Sequence, residues 1–275
     1  SMTLQELERT WRNEKPESGR LQEKIWDERV EDFAAKPLPG KETHPFLRYL
    51  YEKMPLDKTM SVLDIGCGAG QLSLALAGKV REAVGTDVSG KMAEAAGRLA
   101  ERERIRNAKF FQQDWQAADL DVLGFRGRFE LVFAHMTPAV ADYETLDKMN
   151  ACAKEHCILV KPARRSDAVQ DAAFAQAGIF SQKEQLDDAI ANTFTYLWLK
   201  GYEPELSYRK EEWKSERSLE SMKKWCVDRA KLQKELTGAE EEAICRYLEG
   251  ISRDGQIEDR TLTTIVTIYW NVKDR

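Results

Sequence analysis

Apolar residues along this chain follow two regimes. Over the first 55 residues they recur at helical spacing. Leu21, Ile25, Trp26, Val30 and Phe33 predict one helix through "SGRLQEKIWDERVEDFAAK", and "TLQELERTWRNEK" before it reads the same way. A loop, "KPLPGKETHP", is set by its prolines and glycine. It leads into "PFLRYLYEKM", a helix predicted to open on Pro45, because proline's fixed φ and missing N–H suit a first turn.

From Met60 the pattern changes. "MSVLDIG" is a short apolar run without polar alternation, as in a strand covered on both faces. "EAVGTDV", "AKFFQQD", "FELVFAHM" and "HCILVKPA" predict four more strands. Between them lie helical stretches: "GQLSLALAGKV", "SGKMAEAAGRLAERERI" with Ser89 placed as N-cap, and "VADYETLDKMNACAK". Strands alternating with helices mean βαβ units, right-handed crossovers and a parallel sheet. Beyond Ala163 the pattern loosens. Helices are predicted in "SDAVQDAAFAQAG" and "QLDDAIANTFTYLWLKGY", and a sixth strand in "EPELSYRKEEW". Two helices follow, "ERSLESMKKWCVDRAKLQKEL" and "GAEEEAICRYLEGISRDG", and then a β-branched last strand, "RTLTTIVTIYWNVK".

The chain is 275 residues long and 42% hydrophobic, enough for a sizeable core. Its net charge of −5 argues against wrapping nucleic acid, which needs a clustered excess of Lys and Arg. Basic clusters occur at "ERERIR" (101–106) and "ARR" (163–165), but acidic neighbours make them read as solvated faces. Five cysteines with no C-x-x-C pair predict reduced thiols, no disulfide framework and no metal site. The polar start and the lack of a long apolar run predict no signal peptide and no membrane span, hence a cytoplasmic protein.

The informative chemistry sits at the first strand end, "VLDIGCGAG" (62–70). Glycines at 66, 68 and 70 let the chain turn tightly and a ligand come close. A dinucleotide fingerprint would want glycine at 71, where this chain has Gln71, and a P-loop would want Lys followed by Ser or Thr. Asp64, beside the turn, repels a pyrophosphate and attracts a cationic ligand. Asp87 ends the second strand about 20 residues on, where a carboxylate can accept ribose hydroxyls. Asp114 in "QQDW" can accept from an exocyclic amine, and Trp115 can offer its backbone N–H or its ring to an adenine.

"VLDIGCGAG", "VGTDVS" and "FFQQDW" together resemble the first three motifs of class I S-adenosylmethionine (SAM)-dependent methyltransferases, over residues 60–162. The resemblance implies an α/β fold: a seven-stranded, mostly parallel Rossmann-like sheet with an antiparallel last strand. It implies an N-terminal helical cap (1–55) and a SAM-binding domain (56–275) carrying a helical insertion at about 214–256. It implies SAM as cofactor, over Gly66, Cys67, Gly68 and Gln71. Asp64 would serve the methionine amino end, Asp87 and Val88 the ribose side, Asp114 and Trp115 the adenine, with His135 close by.

Strand four ends in "HMTPA", unlike the Asp/Asn/Ser–Pro–Pro–aromatic motif of enzymes that methylate planar base amines. A small-molecule acceptor is therefore expected, with an RNA or protein acceptor and a non-catalytic SAM-binding module as the alternatives. Methyl transfer from a sulfonium depends chiefly on holding donor and acceptor in line, and needs a base only if the nucleophile arrives protonated. His135 is the candidate base or a cofactor contact, and Tyr143 the candidate substrate contact. His156, at the start of strand five, falls on the far edge.

Overall fold

The computed structural model describes residues 1–13, 18–180 and 184–275, so Glu14 and Lys15 of the first predicted helix lie outside the described residues. The chain forms two compact units. One contains Ser1–Lys161, Ala191–Ser207 and Thr267–Arg275, and the other Pro162–Ile190 and Tyr208–Val266.

The first unit opens with helices α1 (Leu4–Thr10), α2 (Ser18–Asp27), α3 (Val30–Ala34) and α4 (Pro45–Lys53). The single helix expected over 18–36 is two. A turn in which Arg29 N–H donates to the Trp26 carbonyl (3.0 Å) ends α2, and Val30 starts α3. The break lets Val30 pack against Ala69, Met92 and Ala95, while Leu21 and Ile25 on α2 stay exposed. Pro45 is the first residue of α4, as its backbone chemistry predicts.

The βαβ region comprises β1 (Ser61–Ile65), α5 (Gln71–Ala77), β2 (Glu82–Asp87), α6 (Gly90–Arg102), β3 (Ala108–Gln112), α7 (Leu120–Leu123), β4 (Phe129–His135), α8 (Tyr143–Cys152) and β5 (Ala153–Asp167). Every residue of β1 is buried, which accounts for its lack of apolar–polar alternation. The Ser89 hydroxyl accepts from Met92 N–H (3.1 Å) and caps α6. A seven-stranded sheet results, in the order β3-β2-β1-β4-β5-β7-β6, with β6 at Glu205–Ser218 and β7 at Gln256–Asn271. Pairs β1–β2, β1–β4, β2–β3 and β4–β5 are parallel. The last strands are antiparallel. Val272 N–H donates to the Glu155 carbonyl (2.8 Å), which sets the end of β7 beside the start of β5. Lys210–Thr264 and Glu212–Arg260 hydrogen bonds fix opposite directions for β6 and β7.

Strands β5, β6 and β7 exceed the apolar runs that predicted them. Their extensions are rich in charged and polar residues, and in β6 most positions are exposed. α10 (Glu184–Leu199) precedes β6. The second unit holds its own core, in which Val169 and Phe174 of α9 (Ala168–Ala175) meet Met222, Cys226 and Ala230 of α11 (Leu219–Lys231). Ile244 and Leu248 of α12 (Gly238–Ile251) complete it. No described helix is long and apolar enough to cross a membrane.

Candidate active site

In an open parallel sheet the crevice lies outside the carboxyl ends of the strands, where the order reverses. Here β1 is flanked by β2 and β4, so the reversal falls at the glycine loop that follows β1. The β2 end holds that loop: the N–H groups of Gly66 and Cys67 both donate to the Thr86 carbonyl, at 2.8 and 2.9 Å. Gly66 has φ +71, and a Cβ on it would lie 2.1 Å from Thr137 Oγ1, so the loop after β4 is seated directly upon this glycine. Gly68 has φ +56, with nothing within 4 Å of where a Cβ would point. The loop thus presents bare backbone to open space.

Acidic side chains surround that space. Asp64 is 2% exposed, and its Oδ2 accepts from Ser73 Oγ (2.7 Å). Burial pushes its carboxyl up to about 7. Ser73 opposes the rise and the charge of Asp87 adds to it. Asp87 accepts one bond per oxygen, from Gly68 N–H and Ser89 N–H, both at 2.9 Å. Its pKa is also raised, by burial first, against those two bonds, with Asp27 contributing. Burial and both carboxylates push the Cys67 thiol well above its ordinary value. The groups acting on Asp64 include no cation. A buried acidic pair beside open backbone fits a ligand that brings positive charge, as a sulfonium amino acid does.

α2 and α3 cover this end. Asp27 accepts from Ser89 Oγ, and Gln112 Nε2 donates to Glu23 (3.1 Å) and to the Val88 carbonyl (3.0 Å). Gln71 Nε2 donates to the Phe33 carbonyl (2.5 Å), so this loop residue faces the cap. Asp114 starts a short 3-10 turn, Trp115–Ala117, accepting from Gln116 N–H (3.1 Å), and a Cβ on Gly19 would stand 2.3 Å from its Oδ2. The Trp115 ring is buried, with Nε1 donating to the Thr145 carbonyl (3.1 Å).

On the β4 side, the His135 ring packs 4.9 Å from Phe46 and 5.4 Å from His44, centroid to centroid. Tyr143 opens α8. Its hydroxyl accepts from Arg12 (2.9 Å) and donates to Glu144 (3.1 Å), and its ring meets Tyr196. His156 bonds Tyr269 (2.7 Å) near the start of β5, at the opposite edge. Thr137 over Gly66, Ser73 on Asp64 and Lys161 on β5 were not singled out from sequence. Lys161 had a signal: one lysine directly follows the apolar run "CILV". No described group of His, Cys, Asp and Glu could hold a metal.

Comparison with known proteins agrees with this geometry. A family model described as a methyltransferase domain matches residues 56–243. A protein of Bacillus halodurans assigned to the methyltransferases has the same fold at TM-score 0.51 and 15% identity, covering 83% of this chain and 99% of that one. The cyclase SpnF does so at TM-score 0.51 and 14% identity, covering 91% and 96%. In sequence, a 70-residue stretch is 37% identical to the 23S rRNA (uracil(1939)-C(5))-methyltransferase RlmD of Haemophilus influenzae. That match covers 26% of this chain and only 16% of the relative's length. The glycine loop, the acidic strand ends and the matched domain converge: the chain belongs to the SAM-dependent methyltransferases of the methyltransferase-domain family.

Proposed function

We propose that the acceptor is a small molecule, methylated at the carboxyl end of β4. Bound SAM supplies a methyl group on a sulfonium, whose displacement releases a neutral thioether. In this reading Asp87 accepts the ribose hydroxyls, Asp64 balances the charge of the amino-acid end, and Asp114 with the Trp115 backbone takes the adenine edge. Gly68 leaves room for the nucleoside. His135 takes a proton when the acceptor arrives protonated. In that role His135→Ala lowers turnover far more than SAM affinity, and an equal fall in both would assign the ring to its stack with Phe46.

The observation that carries the small-molecule reading is the acidic lining of the cleft: Asp64 and Asp87 near the ends of β1 and β2, with Asp27 and Glu23 from α2, would repel a phosphate backbone. Of the basic clusters, Arg102, Arg104 and Arg106 precede β3 at the amino edge of the sheet, and Arg164 and Arg165 lie on the extension of β5. The stretch shared with RlmD favours a second reading, an RNA acceptor. The test is a labelled-methyl assay on whole cell extract, separating acid-precipitable product from small molecules. Label in the soluble fraction supports the proposal, and label in RNA overturns it.

A further inference from the structure

β4 ends with His135 opposite Val160, the last paired residues of the two strands, while β5 runs on to Asp167. Met136 N–H then donates to the Val160 carbonyl (2.9 Å), and Met136 takes φ +52. That left-handed residue turns the chain so that Thr137 faces two ways. Its hydroxyl lies over Gly66, and its carbonyl lies 3.5 Å from Lys161 Nζ. Thr137 is therefore the link between the glycine loop and the lysine that follows Val160 on β5.

The lysine is electrostatically incomplete. It is half-buried behind Ile158, Leu159 and Val160, and the 3.5 Å contact is at the outer limit of a hydrogen bond. An ammonium has three donors. Lys154, earlier on the same strand, has Glu130 at 3.7 Å. Among the described residues no carboxylate pairs with Lys161. Burial alone acts on it, lowering its value to about 8. At pH 7 the cation still outnumbers the neutral amine by about ten to one. A cation withdrawn from water without a counter-ion is costly, and an arriving anion offsets that cost.

We propose that Lys161 is the anchor for an oxyanion on the methyl acceptor, so that the small molecule modified here is an acid carrying a carboxylate or a comparable anionic oxygen. This rests on the small-molecule reading above. The same chemistry is present in the carboxylate of the cofactor's own amino-acid end. The position of Lys161, on the β4–β5 side of Thr137 and away from Asp64 and Asp87, favours the acceptor.

The test uses the full chain with labelled SAM and a cell-extract metabolite pool, resolved on an anion exchanger at neutral pH before the reaction. Label recovered from the retained, acidic acceptors supports the proposal. Label confined to neutral or cationic small molecules overturns it while leaving the small-molecule reading intact, and label in macromolecules overturns both. This arm needs no variant. Lys161→Met is then expected to lower kcat/KM for the acidic fraction by about 30-fold or more, the range for losing one partner of a buried charge pair. Lys161→Arg should recover part of the loss, and SAM affinity by calorimetry should change less than about threefold. A parallel loss of SAM affinity would move Lys161 to the cofactor's carboxylate, and unchanged kcat/KM would remove it from the site.

Discussion

Cofactor affinity should fall with acid, and the fall should belong to Asp64. This carboxyl is 2% exposed, and burial raises it from 3.8 to about 7 against a single hydroxyl bond from Ser73. A positively charged ligand pairs only with the ionised form. Half of the protein is ionised at pH 7, about one part in eleven at pH 6 and about one in a hundred at pH 5. SAM affinity is therefore expected to weaken about a hundredfold from pH 8 to pH 5, or about 2.7 kcal/mol. Binding at pH 7 should release about half a proton, which titration calorimetry reads as heats that differ between buffers of different ionisation enthalpy. Stability without cofactor carries the same signature. The folded value lies above the unfolded one, so this contribution is fully present below about pH 4 and is lost as pH rises through 7. Asp64→Asn should accordingly raise Tm without cofactor at pH 8 and flatten the affinity profile. A flat wild-type profile, or a variant that keeps the wild-type slope, would refute the reasoning.

Three further outcomes are expected. Asp87→Ala should weaken SAM binding by about 1–3 kcal/mol, measured by calorimetry, and free the Gly68 and Ser89 N–H groups that it now holds. Gly66→Ala forces a side chain into φ +71 and 2.1 Å from Thr137 Oγ1, so Tm and activity should both fall by more than the roughly 1–2 kcal/mol left-handed cost alone, and Thr137→Ala in the same chain should return part of the loss. Asp142→Ala removes the acceptor for Asn13 N–H (3.0 Å), Thr145 N–H (2.9 Å) and Thr145 Oγ1 (2.7 Å), and should cost about 1–3 kcal/mol in denaturant unfolding without altering SAM affinity.

Much of the first unit was legible because burial on both faces leaves a mark that composition alone preserves. β1 reads as "SVLDI" and is buried at every position. Ser89 announced the start of α6 through the one property a cap needs, a short acceptor ahead of an apolar helix. Where partners decide the structure, the pattern misled. Ile25 and Val30 share helical spacing, yet one is exposed and the other packs on Ala69, and the chain breaks between them. β6 was expected in "EPELSYRKEEW", but its extension through "KSERS" was not, because an outer strand with both faces largely in water carries no apolar signature there. Trp115 shows the same limit at the site. Its position beside Asp114 was readable, but only α8 supplies the Thr145 carbonyl that turns its ring inward.

The larger lesson of the site is its electrical direction along the sheet edge. Asp64, Asp87 and Asp114 stand at the ends of β1, β2 and β3, and α2 adds Asp27 and Glu23. Past Thr137 stand His135, at the end of β4, and Lys161, which follows Val160 on β5. The acidic strand ends therefore lie on one side of Thr137 and this lysine on the other. In the proposed arrangement the acidic side would draw the cationic donor, whose amino group pairs with Asp64 and keeps its charge when the methyl leaves. The cationic side acts on what approaches from the other direction. An acceptor bearing an anion, as proposed above, would meet a half-buried Lys161, where one well-placed charge selects more strongly than it would at a fully exposed surface. Reversing that charge should therefore invert the order of acceptors without disturbing the donor, because the two sides are joined through Thr137 but titrate on different residues.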